Sequence, residues 1–186
     1  MLTMLRRSTV FITVLIVACA TASLAVAASV HLKGGAHAKP SFTDLGTQLN
    51  VSGALSGLGQ QDLTVTLNAT ANVTATCTNG GMHQAPGQNP APISVTGSQA
   101  IPAGSVINGN VSFNVTTNKP ASPIAGAPDC PNPNWSEGIT DLSFTSGTII
   151  VRQPDTDGTG PIVFTLKCTF SPATSDGAVP SGNVTC

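Results

Sequence analysis

The sequence contains no tyrosine and one tryptophan, Trp135, and only 4% of its residues are aromatic. Charge is equally scarce: 8% of the 186 residues are Asp, Glu, Lys or Arg, against about 25% in ordinary soluble domains. Basic residues are too few to form a stripe along phosphates, which excludes conventional nucleic-acid binding. No polybasic patch exists for an anionic lipid surface. No C-x-x-C occurs, and no histidine lies close in sequence to a cysteine, so zinc spacing is absent. The G-x-S-x-G turn of esterases is missing. Beyond residue 30 no window places apolar residues at i, i+3, i+4 and i+7, so almost no helix is expected.

What is present begins with a leader. Arg6 and Arg7 precede an apolar run from Val10 to Val30, interrupted only by Thr13, Thr21, Ser23 and Ser29. Ala25-Val26-Ala27 supplies the small-x-small pattern read by signal peptidase. Residues 1–27 are therefore read as a signal peptide. The same run is long enough to serve as an uncleaved N-terminal anchor. Ile16-Val17-Ala18-Cys19 also has the form of a lipobox, although the residues after Cys19 stay apolar. All three readings place the rest of the chain outside the cytoplasmic membrane, with a membrane link only through an uncleaved or lipidated N-terminus. Residues 28–43, with Gly34-Gly35, Pro40, His31 and His37, read as a flexible linker, and 44–186 as one domain. Without the leader, five basic side chains face eight acidic ones.

Cys77, Cys130, Cys168 and Cys186 remain after the leader. An even count in an exported chain implies two disulfides. The favoured pairing is Cys77–Cys130 with Cys168–Cys186, the second closing a short loop between two inward strand positions. A Cys77–Cys168 bridge, across the sheets as in an immunoglobulin domain, is the rival.

Strand patterns fill the domain. From Leu63 to Cys77, apolar residues at every odd position alternate with Thr or Asn at every even one. That is period two, the mark of a strand with one buried face. Its length calls for a bend or bulge near Ala69–Asn72. Ile162, Phe164, Leu166, Cys168 and Phe170 form a second alternation, and Val111, Phe113 and Val115 a third. Weaker strands fall at Gln48–Leu55, Ile93–Gly97, Ile139–Phe144, Thr148–Arg152 and Asn183–Cys186. The expectation is an all-β, two-sheet β-sandwich of about eight strands, loosely immunoglobulin-like, with two disulfides. Two long loops, Thr78–Pro92 and Thr117–Glu137, carry Gly, Asn and Pro.

Three segments carry a resemblance: Cys77-Thr-Asn-Gly-Gly with Pro86-Gly-Gln-Asn-Pro90, Ala127-Pro-Asp-Cys130-Pro-Asn-Pro-Asn-Trp135, and Cys168-Thr-Phe-Ser-Pro172 with Val179-Pro-Ser-Gly-Asn-Val-Thr-Cys186. Together they resemble a group of small exported, disulfide-containing β-proteins of environmental microbes that has no assigned function. The resemblance covers about Leu63 to Cys186 and implies export and disulfides, not an activity.

Few residues point to chemistry. His83, in the first long loop, is the one histidine of the domain, and a hydrolase would need it beside a carboxylate and a hydroxyl. Asp155 and Asp157 lie in Asp-Thr-Asp-Gly-Thr-Gly, which reads as a turn. Its alternative, a Ca²⁺ loop, would need several more oxygens. Trp135 either covers a disulfide or centres a binding patch. A lone Trp is a poor platform for stacking sugars. Seven Asn-x-Ser/Thr sequons, at Asn50, Asn68, Asn72, Asn110, Asn114, Asn134 and Asn183, follow from Asn/Thr alternation on exposed strand faces. The functional expectation is a secreted or cell-surface, non-enzymatic domain with a structural, adhesive or binding role. Its candidate binding residues are Trp135 and His83. No cofactor is implied, and the partner is unspecified beyond self-association or a cell-envelope polymer. A small-ligand or Ca²⁺ module and a secreted hydrolase are the alternatives.

Overall fold

A computed structural model describes residues 30–35, 37–86, 91–121, 130 and 134–186. Among the described residues, eleven strands form two antiparallel sheets facing one another. The strands are β1 (His31–Leu32), β2 (Ser41–Asp44), β3 (Leu49–Ser56), β4 (Leu63–Asn79), β5 (Gln84–Pro86), β6 (Ile93–Ile101), β7 (Val111–Thr116), β8 (Trp135–Arg152), β9 (Ile162–Phe170), β10 (Gly177–Ala178) and β11 (Val184–Thr185). In the first sheet β3 is central. It pairs with β7 on one edge, and on the other with β2 and β1 end to end; β10 continues outside β2. In the second sheet β4 pairs with β8 on one edge, and with β6 then β5 on the other; β9 and β11 follow β8.

The alternation in β4 does what its period dictates. Leu63, Val65, Leu67, Ala69, Ala71, Val73, Ala75 and Cys77 are all buried. Most of them meet Leu49, Val51, Leu55, Phe113 and Val115 of the first sheet in one core. Phe42 and Phe170 pack edge to face, with ring centroids 4.9 Å apart. Where β6 and β7 approach each other, the two sheets touch. A Cβ on Gly97 would sit 2.0 Å from the Thr116 carbonyl oxygen, so only glycine fits. Two bonds cross there: Asn118 N–H to Thr96 O at 2.7 Å, and Asn114 N–H to Gln99 Oε1 at 2.9 Å.

The structure changes several expectations. The described part of the expected 28–43 linker is not a featureless connector. Val30, Leu32 and Phe42 are buried, and β1 and β2 hold the edge of β3. Ile139–Phe144 and Thr148–Arg152 are parts of one strand, β8, which also takes in Trp135 and Glu137. Its pairing with β4 shifts between Thr70 and Ala71, inside the expected window, and again between Thr74 and Ala75. Each extra residue is a threonine whose hydroxyl donates back to β4: Thr145 to Thr70 O and Thr140 to Thr74 O, both at 3.2 Å. The interior face of β9 is fully buried only from Cys168 onward. Ile162 is exposed, and Phe164 and Leu166 are half-buried. The first long loop opens as a hairpin, with β5 returning along the end of β4.

Both bridges follow the favoured pairing, Cys77–Cys130 and Cys168–Cys186. The second clamps β11 onto β9. Two disulfides belong to an oxidising, extracytoplasmic compartment. No helix among the described residues is long and apolar enough to cross a membrane.

Candidate functional site

β9 pairs with β8 only from Ser146 to Arg152, and β6 with β4 only from Leu63 to Ala71. The remaining part of β4, the first half of β8, and β5 therefore continue as a three-stranded ribbon. Its base is bolted to the rest of the molecule. Leu142 N–H donates to Gly46 O at 3.0 Å, and Thr174 N–H to Phe144 O at 2.9 Å. The Thr174 hydroxyl accepts the Phe144 N–H at 2.8 Å and donates to Asp44. Asp44 is 2% exposed. Its other oxygen accepts the Gly46 N–H at 2.9 Å. Burial pushes the Asp44 carboxyl above the usual carboxylate range. The bonds from Thr174 and Gly46 oppose that, and the charges of Asp141 and Asp176 add to it.

The ribbon tip is organised by Asn79. Its side-chain oxygen accepts the N–H groups of Gly81 and His83, both at 2.9 Å. Its backbone N–H donates to His83 O at 3.0 Å, and its carbonyl accepts the Met82 N–H at 2.9 Å. Trp135 lies opposite Asn79 in the β4–β8 register. Asn79 thus brings the two sequence candidates, Trp135 and His83, to one end of the ribbon. Trp135 is half-buried and His83 exposed. Met82, which immediately precedes His83, has φ at +62° and is 82% exposed. The Cys77–Cys130 bridge lies two residues below Asn79 on β4. Met82 has no signal in the sequence, because nothing in Gly-Gly-Met-His marks a methionine for exposure.

Asp155 and Asp157 are at the other end. β8 is 18 residues long, which puts its two ends about 50 Å apart. Asp155 is 5% exposed. Its carboxylate accepts Gly158 N–H at 3.0 Å and Gly160 N–H at 2.8 Å. A bond from the Thr64 hydroxyl holds the carboxyl below its ordinary value, with the backbone N–H groups adding and burial opposing. Asp157 accepts Thr159 N–H at 3.0 Å and its hydroxyl at 2.7 Å. Both aspartates thus fasten the β8–β9 turn. The buried Gln153 ties the same pole together, with Nε2 donating to Gly59 O at 2.7 Å and Gln61 O at 2.9 Å, while Oε1 accepts Gly59 N–H at 2.9 Å. A shallow cleft of about 440 Å³ lies over this turn, lined by Gln61, Asp62, Pro154 and Thr156 among others. Among the described residues, no three His, Cys, Asp or Glu side chains gather in a way that could hold a metal ion.

The first described residue, Val30, lies at this same pole, because His31 pairs with Ser56 at the end of β3. The chain enters the domain at one end, and the ribbon tip stands at the opposite one. Comparison of the chain with protein-family models, with curated proteins and with solved structures finds no match.

Proposed function

We propose that this protein is a secreted or cell-surface, non-enzymatic domain, a loosely immunoglobulin-like sandwich that binds or adheres through its ribbon tip. The observation that carries the reading is the polarity of the molecule. An N-terminal tether would hold the pole of Val30, and the exposed Met82 and His83, with Trp135 beside them, would face away from it. A half-buried Trp is a common interface anchor, and the flexible, polarizable Met side chain adapts to a partner's surface. The hydrogen bonds of His83 to other described residues run through its backbone to Asn79, a turn geometry suited to presenting a ring rather than activating a nucleophile. Binding of fluorescently labelled domain to cell-envelope fractions tests this. The native domain is retained, and Met82→Asp with His83→Asp is not. Equal retention of both proteins refutes the tip, and no retention of either refutes the adhesive reading.

A further inference from the structure

The outer face of the second sheet is a second surface. The strand registers align its outward residues in rows that cross the strands. One row runs Ser94, Thr70, Ser146, Thr169 and Thr185 through five strands. The next is Thr96, Asn68, Thr148 and Lys167, and the third Ser98, Thr66, Ile150 and Thr165. Ten of these thirteen positions carry a hydroxyl, none a carboxylate, and Lys167 is the one charge. Strands about 4.8 Å apart, with outward residues about 6.8 Å apart along each, make a two-dimensional grid of hydroxyls. We propose that this face binds a flexible, neutral polysaccharide chain lying across the strands. The inference rests on the extracytoplasmic reading and not on the ribbon tip.

Three features choose that occupant. The charge-poor surface offers a charged polymer almost no counter-charge, whereas a neutral polyhydroxyl chain can exchange hydrogen bonds with it along its whole length. One β-linked pyranose residue spans nearly the strand-to-strand distance, so a crossing chain meets about one side chain per sugar. Adjacent strands turn by about 20–25°, so the five-strand row rotates by roughly 90° from end to end. A rigid plane, such as a crystal facet of cellulose or of ice, touches only part of such a saddle, while a flexible chain follows it. No aromatic ring stands in the three rows. The contact is therefore hydrogen-bonded and cumulative rather than stacked.

The test is retention of the full domain on amorphous, acid-swollen cellulose, with microcrystalline cellulose and a polyanion matrix in parallel. The native domain is expected to be held by the swollen glucan equally at low and high salt. The triple variant Thr66→Val, Thr148→Val, Thr165→Val keeps shape and strand propensity and is expected to lose retention at least about tenfold. Its melting temperature controls for folding. Ile107→Ser, at an exposed position outside the three rows, is expected to be retained like the native domain. Absence of retention on the swollen glucan overturns the proposal. So does retention that salt abolishes, preference for the crystalline form or the polyanion, or an unchanged triple variant.

Discussion

Replacing Gly97 by alanine tests the contact between the two sheets most severely. The added methyl would lie 2.0 Å from Thr116 O, 2.7 Å from its carbonyl carbon and 2.8 Å from Thr117 Cα. All three atoms are backbone, so no rotamer change relieves the clash, and β6 and β7 must part by more than about 1 Å to reach normal contact. Overpacking of this kind costs about 3 kcal/mol. Separation also strains the Asn118–Thr96 and Asn114–Gln99 bonds, worth about 1 kcal/mol each. The expected loss is about 4–5 kcal/mol, a large part of the 5–15 kcal/mol typical of a domain. For a domain of this size it lowers Tm by about 10–15 °C. Gly138→Ala is the control, since nothing lies within 4 Å of a Cβ there. It should be neutral or slightly stabilising. Thermal and urea unfolding under oxidising conditions measure both. A Gly97→Ala loss below about 1 kcal/mol would mean that the sheets do not meet at that edge.

Removing the two disulfides should have graded effects. The Cys168–Cys186 loop of 18 residues predicts a loss of about 3 kcal/mol, and the Cys77–Cys130 loop of 53 about 4 kcal/mol; chemical denaturation of paired Cys→Ser variants checks the order. The two buried aspartates should show opposite pH signatures. The Asp155 carboxyl is depressed, so its stabilisation exists above its unfolded pKa and is lost as pH falls through the folded value; Asp155→Asn therefore costs most near neutrality and progressively less in acid. The Asp44 carboxyl is raised, so its stabilisation is complete below the unfolded pKa and lost as pH rises through the folded one; Asp44→Asn costs most in acid, as stability curves between pH 3 and 7 will read. Parallel curves for the two variants would contradict the geometry of both sites.

Much of this fold is legible in the residues. β4 announces itself because fifteen positions alternate without a break, and its partner face must be apolar too. The two clearest alternations, in β4 and β9, each contain a cysteine, Cys77 and Cys168, and both are buried, so one end of each staple belongs to the core. β8 reads as two strands because bulges at Thr140 and Thr145 reset the period, and a period-two pattern cannot survive an inserted residue. β1 and β2 are hidden because each buries only one or two side chains, too few for a period. The Asp44–Thr174 bond joins residues 130 apart, and Gln153 reaches Gly59 across 94. Such pairs leave no local signal. Trp135 and His83 are readable as candidates, but their placement at one end of the ribbon depends on Asn79, whose side chain closes a turn that the glycines alone leave undefined.

Cell fractionation followed by non-reducing peptide mapping of the native protein by mass spectrometry tests the central claim most directly. An extracytoplasmic, disulfide-stapled sandwich predicts a chain recovered outside the cytoplasm, with Cys77 linked to Cys130 and Cys168 to Cys186. Its N-terminus should lie near residue 28 unless the leader is retained or lipidated. A chain recovered inside the cell with four free thiols, or one in which Cys77 is joined to Cys168, would contradict the account.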